Sequence, residues 1–250
     1  MSGYSAALAA LSAFGTLGTA HAEADLSGVW GMVQHSRPGG PFFVPVEAPL
    51  SELGQEITGD FAARYDVVTY EPNAYCVEAG MPTIMWGIGG AMMEIVQQPD
   101  RITLLSELVN QSRRVFLDGR EIPADFPHQR VGYSVGHWED DTLVIETELI
   151  TKWHGPRWPH SDKFRVVERW WLEDPDNLEL TGFRGGGPRL EIPGPILVNE
   201  MTMSDPKFYV NDEELLTIYY RQVPDQVLFE DNCPEYIWME LLEERSRDTD

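Results

Sequence analysis

Between residues 131 and 183 the chain reads as two consecutive β-hairpins, and that stretch limits the folds open to it. Residues 133–138 and 142–149 are rich in β-branched and aromatic side chains, and Glu139-Asp140-Asp141 between them is a polar turn that no strand interior would hold. Residues 164–172 and 178–183 repeat the pattern about Asp174-Pro175-Asp176-Asn177. There Pro fixes φ, and Asp and Asn bond their own backbone. Four of the six histidines (His128, His137, His154 and His160) fall in or just before this region, so a site is to be sought here.

The flanking sequence continues the theme. Strands are predicted at 26–33, 92–97, 102–108, 113–117, 196–204, 215–221 and 226–231, the last two as a hairpin about Pro224-Asp225. Leu53, Ile57, Phe61 and Tyr65, spaced i, i+4, predict one amphipathic helix over 51–65, and 235–245 reads as a short helix or a frayed tail. With no alternation of strand and helix, doubly wound folds are excluded. The expectation is an all-β chain: one antiparallel β-barrel, lipocalin-like in outline, of about ten strands with one or two short helices. Gly28-Val29-Trp30 resembles the Gly-x-Trp start of lipocalin-type barrels, where the Trp plugs the closed end. Residues 182–195, rich in Gly and Pro and carrying Arg184 and Arg189, form a loop long enough for a lid or an insertion.

Residues 1–22 read as a secretory signal, with an apolar run over 6–17 and a small-x-small end at Ala20-His21-Ala22, although no Lys or Arg precedes the run. Residues 23–250 then form a single barrel domain that is periplasmic or secreted and keeps the whole net charge of −23. Such a surface repels nucleic acid and anionic lipid. No later stretch approaches 18 apolar residues, so membrane insertion is not expected. Cys76 and Cys233 either form a disulfide or remain two buried thiols.

Gly132-Tyr133-Ser134-Val135-Gly136 spells the Gly-x-Ser-x-Gly of a nucleophile elbow, but that motif needs a strand-to-helix turn and this Ser lies within a strand. Gly87-Ile88-Gly89-Gly90 has neither the helix nor the Lys-Ser/Thr of a phosphate loop. His137 shares a strand face with Tyr133 and Val135. If that face points inward, the imidazole is a general base or acid in an apolar hollow; otherwise it is a structural histidine. In 164–171, burial of Glu168 would raise its pKa, whereas a cross-strand Glu–Arg pair would make it structural. His160 and Asp162, with Trp153, His154 and Trp158, are the best candidates for a ligand rim at the barrel mouth. Metal ligation through His137, His154, His160 and Asp162 would match no familiar zinc spacing, and no metal or other cofactor is expected.

Taken together, the segments from Cys76 to Pro82, from Gly136 to Thr142, Pro159-His160-Ser161-Asp162 with Val167-Glu168-Arg169-Trp170, and Asp205-Pro206-Lys207-Phe208-Tyr209 resemble a family of uncharacterised secreted bacterial proteins. The chain departs from that pattern at Val77-Glu78, where a proline is more familiar, and in a longer loop at 182–195. The resemblance implies export and β architecture and supplies no activity.

The partner expected is a small apolar or aromatic molecule held inside the barrel. The first functional reading is an exported lyase, isomerase or cyclase working by cofactor-free acid/base chemistry. In it His137 is the main proton-transfer group, Glu168 a second carboxyl, and His160 and Asp162 a supporting pair. Tyr133, Trp153, Trp158 and Trp170 would line the ligand. The alternative is a periplasmic lipocalin-like carrier of a hydrophobic ligand, in which the tryptophans are stacking walls and no catalysis occurs. A metal-assisted hydrolase is a third, weaker option.

Overall fold

The structure is a computed structural model that describes residues 23–36, 49–65, 80–86, 91–155, 158–181, 188–210, 214–230 and 239. The elements run β1 (Gly28–Ser36), α1 (Glu52–Arg64), α2 (Thr83–Trp86), β2 (Met92–Gln98), β3 (Arg101–Ser106), β4 (Ser112–Phe116), β5 (Tyr133–Glu139), β6 (Thr142–Glu148), β7 (Arg165–Glu173), β8 (Ile196–Ser204) and β9 (Glu214–Gln222). The nine strands form one closed barrel in sequence order, β9 returning to pair with β1. Closure leaves no sheet edge to be protected. The expected signal at 1–22, the two cysteines, Gly87-Ile88-Gly89-Gly90, Arg184 and nearly all of 235–245 lie outside the described residues.

Strand-period alternation explains the core. Ile102, Leu104 and Ser106 of β3, Val166, Glu168 and Trp170 of β7, and Leu216, Ile218 and Tyr220 of β9 are buried, and their neighbours are more accessible. These inward rows pack with Trp30, Met93, Ile95, Ile145 and Met201 as one cluster. Trp30 is 1 % exposed and donates its indole N–H to the Leu26 carbonyl at 2.9 Å. The short α2 joins the same cluster through Ile84 and Met85. Its Met85 carbonyl accepts from the Tyr220 hydroxyl, which is wholly buried with its pKa pushed well up by burial and by Glu168.

Three expectations are corrected. The barrel is mixed rather than purely antiparallel, because β4 and β5 run parallel through Val115↔Ser134 and Phe116↔Val135. A parallel pair needs a long return, which residues 117–132 supply. The second hairpin does not form: residues 178–181 are not strand, and β7 pairs with β6 and β8, so neither edge is free for them. Leu180 instead covers the outer face with Ile196 and Val198. Residues 226–230 are likewise irregular, since β9 is already taken by β8 and β1. The first hairpin forms as expected, with Asp140 at φ 56° in its turn, a conformation that short polar side chains tolerate.

Candidate functional site

The alternation of β5 turns the expected site inside out. Ser134 is buried, whereas His137 has 58 % of its side chain exposed and faces Glu139 Oε1 at 3.3 Å on the outer wall. Tyr133 shares that outer face and packs against Phe116 and Phe126 at ring separations of 5.3 and 4.9 Å. The inward positions are taken by Ser134, by Trp138 against the core, and by Gly136, where a Cβ would meet the Val144 carbonyl oxygen and Val115 at 3.0 Å. The inward placement expected of His137 is thus reversed, and Tyr133 does not line the interior. No histidine from this strand reaches the hollow.

What occupies that part of the interior is an ion pair. Glu168 and Arg113 carry side-chain exposures of 0 and 1 % and are directly bonded. Arg113 Nε donates to Ser134 Oγ at 3.0 Å and a terminal nitrogen to Thr147 Oγ1 at 2.8 Å. The other Glu168 oxygen accepts from Asn199 Nδ2 at 3.0 Å and from Trp170 Nε1 at 3.3 Å. Glu168 therefore does have an arginine partner, but from β4 across the interior rather than from an adjacent strand. The serine of the Gly-x-Ser-x-Gly string is one of that arginine's acceptors and lies on no elbow. Trp170, wholly buried, belongs to this cluster and to the core.

The mouth loop divides into structural and open members. His160 is 2 % exposed and stacks on Phe164 at 4.2 Å. Its Nδ1 lies 2.7 Å from the Trp158 carbonyl and its Nε2 3.1 Å from that of Thr151. Two carbonyls favour the protonated ring, yet burial outweighs them and lowers the pKa to about 4. Trp158 is buried edge-on to Trp86 at 5.7 Å, and Trp153 lies 5.9 Å from Phe61. Asp162 is open and pairs with Lys207 Nζ at 2.7 Å, which holds its carboxyl below the usual range.

Asp162 opens onto a cleft of about 520 Å³ beside the barrel mouth, bounded by Leu53 and Ile57 of α1, by His154, and by Lys207 and Phe208. Asp205, wholly buried, builds its frame. Its carboxylate accepts from Ser161 N at 2.6 Å and Ser161 Oγ at 2.9 Å, and from the backbone of Lys207 and Phe208 at 2.9 and 3.2 Å. One side chain thereby ties the loop at Ser161 to the turn after β8. Helix α1 is docked onto that turn. Ser51 caps it by accepting from Gly54 N at 3.0 Å while donating to the Lys207 carbonyl at 2.6 Å. Gly54 permits the approach, because a Cβ there would sit 2.6 Å from the Phe208 carbonyl oxygen. The expected helix thus exists, but its apolar stripe is only half covered: Leu53 and Tyr65 are each 46 % exposed.

The structure therefore distributes the expected residues over four places. His137 and Tyr133 lie on the outer wall, Glu168 and Trp170 in the core, His160, Trp158 and Trp153 in the packed mouth loop, and Asp162 at the cleft. Sequence reasoning missed Arg113, Asp205, Lys152 and the part of Lys207, and gave His128 no role beyond membership of the histidine cluster. The signal at Asp205 was present in the turn Asp205-Pro206-Lys207, whose buried carboxylate only the fold reveals. Among the described residues no three His, Cys, Asp or Glu side chains stand together as a metal set, and no helix is long and apolar enough to cross a membrane.

No family model and no curated protein matches the chain. Among solved structures it is similar to a mutant of the fluorescent protein UnaG, at 13 % identity and TM-score 0.36 over 80 % of this chain and 97 % of that one. It is also similar to a zebrafish ileal bile acid-binding protein complexed with cholic acid, at 16 % and 0.32 over 79 and 98 %. The third is human cRBP IV, at 14 % and 0.31 over 80 and 99 %. At these values no ligand is inferred from them; the barrel rests on its own strand register.

Proposed function

We propose that the protein is an exported carrier that holds a small, largely apolar molecule in the cleft beside α1 and does not transform it. The observation that carries this reading is the half-covered apolar stripe. Leu53, at 46 % exposure, and Ile57 face a cleft whose volume is in the range of ordinary ligand sites. Covering such surface is favourable by about 25 cal/mol per Å² of apolar area removed from water.

Carriage is favoured over acid/base catalysis by the state of the candidate groups. A catalytic acid or base needs a proton free to exchange with substrate in a water-poor site. His137 is solvated, Glu168 is held by Arg113 and Asn199, and His160 is buried with both ring nitrogens turned to backbone carbonyls. Export rests on residues 1–22 alone.

Titration with the neutral fluorophore N-phenylnaphthylamine tests the proposal. Saturable, blue-shifted emission is expected; Ile57→Asp should weaken binding at least about tenfold, the order expected when a charge is placed against buried apolar surface. His137→Ala should leave binding unchanged. Binding that survives Ile57→Asp intact overturns the assignment of the cleft.

A further inference from the structure

The charge of the cleft runs against that of the chain. The sequence holds 18 basic and 41 acidic residues, for a net −23, and only three lysines. Two of those, Lys152 and Lys207, line the cleft with His128 and His154, and the one carboxylate among the described lining residues is Asp162. The third lysine, Lys163, adjoins Asp162 in sequence and acts on its carboxyl. Asp162 already engages Lys207. No described acidic side chain forms an ion pair with Lys152, which stands near enough to His154 to oppose its protonation. A locally basic lining beside an apolar wall, on so acidic a protein, is a specific arrangement.

We infer that the cleft recognises an amphipathic organic anion, with its apolar body against Leu53, Ile57 and Phe208 and its carboxylate toward Lys152 and Lys207. This rests on the carrier reading above and names its ligand class. The physical ground is opposition of scales. Beyond a Debye length of about 8 Å the acidic surface is screened at physiological salt, and the nearer Glu52 and Glu56 of α1 are exposed to solvent and outside the cleft lining. Within the cleft the two ammonium groups act at close range on a partly desolvated carboxylate, where charge-assisted hydrogen bonds are stronger than neutral ones. An anionic bilayer, by contrast, would meet the whole acidic surface and be repelled.

Calorimetric titration of the full chain with naphthoate and with its neutral, similarly shaped amide, naphthamide, tests this. Naphthoate should bind about tenfold tighter. Lys152→Glu should abolish that advantage and leave naphthamide within about twofold, and Lys152→Met should give an intermediate value. Arg101→Glu, at the start of β3 and outside the cleft lining, alters net charge equally and should leave the advantage intact. Equal wild-type affinity for the two probes overturns the anion assignment and leaves the cleft standing. Binding of neither overturns the carrier reading itself. An equal loss in Arg101→Glu assigns the effect to the overall field and overturns the site. Sedimentation with anionic phosphatidylglycerol vesicles at physiological salt overturns the choice of a small ligand.

Discussion

Two ion pairs set the interior of this molecule apart from its cleft. Arg113–Glu168 lies inside the barrel with side chains 1 and 0 % exposed; Lys207–Asp162 lies at the cleft with 46 and 49 %. The chemistry is similar and the consequences are opposite. Inside, each charge has lost its water and is held by its partner and by Ser134, Thr147, Met85, Asn199 and Trp170. At the cleft both charges keep solvent, so either partner is free to exchange the other for a ligand at little expense. A buried pair therefore specifies the fold, and an open one is available for binding.

The largest expected effect comes from unbalancing the inner pair. Glu168→Ala strands the Arg113 guanidinium in the core and should lower the free energy of unfolding by about 3–5 kcal/mol, read from urea titration. Arg113→Met combined with Glu168→Leu removes both charges and should recover most of that loss. If the double variant is as unstable as the single one, the pair is not the source of the effect.

The next effect is a pH dependence. His160 titrates near 4 when folded against 6.5 as its ordinary value, because burial disfavours its charged form. Between those values the unfolded chain binds the proton and the folded one does not, so stability is present above pH 6.5 and falls as pH drops toward 4. The expected loss is about 3 kcal/mol over the window. His154, lowered by burial and by Lys152, adds in the same direction. His160→Gln should remove most of the slope of unfolding free energy against pH, even though it lowers stability at neutrality. An unchanged slope would show that other groups carry it.

How much of this was legible in the sequence follows from the same comparison. Strand periods and turn residues located the strands well because they depend on neighbours one or two positions away. The parity of β5 was not legible. Reading Tyr133, Val135 and His137 as the inward face follows hydrophobicity, but the interior there serves Arg113, which needs Ser134 as an acceptor, and Gly136 leaves room for Val115 and Leu117. Nothing near Tyr133 in sequence announces an arginine on β4. The two missing strands fail for a related reason: residues 178–181 and 226–230 have strand-like composition, but closure leaves them no free edge. At the mouth, the loop from Trp153 to Asp162 reads as a rim in sequence, but most of its aromatic and imidazole groups are packed. The cleft depends on Asp205 bridging to Ser161 across 44 positions, a contact that no local pattern encodes.

A smaller effect probes the frame of the cleft. Gly54→Ala gains up to about 1 kcal/mol in helix propensity. Against that, its Cβ would lie 2.6 Å from the Phe208 carbonyl oxygen, in a helix pegged by Ser51. Overpacking of this kind costs about 1–3 kcal/mol, so the balance should be a modest destabilisation. Because α1 must move to relieve the clash, N-phenylnaphthylamine should also bind more weakly. Stabilisation with unchanged binding would mean that α1 is not seated as described.

The smallest expected change in stability belongs to the outer pair, and it is the most telling for the contrast. Lys207→Met should shift the thermal midpoint by about a degree or less, since exposed pairs contribute little. Asp162→Asn should do the same, and N-phenylnaphthylamine, being neutral, should bind either variant within about twofold. The two substitutions should nevertheless act oppositely on naphthoate: Lys207→Met removes an attractive charge, whereas Asp162→Asn releases Lys207 from its internal partner and should tighten binding. Weakening by both would mean that the pair builds the cleft wall as a unit. A midpoint that falls as far as it does for Glu168→Ala would erase the distinction between the two pairs, because a charge that solvent can reach has no desolvation penalty to expose.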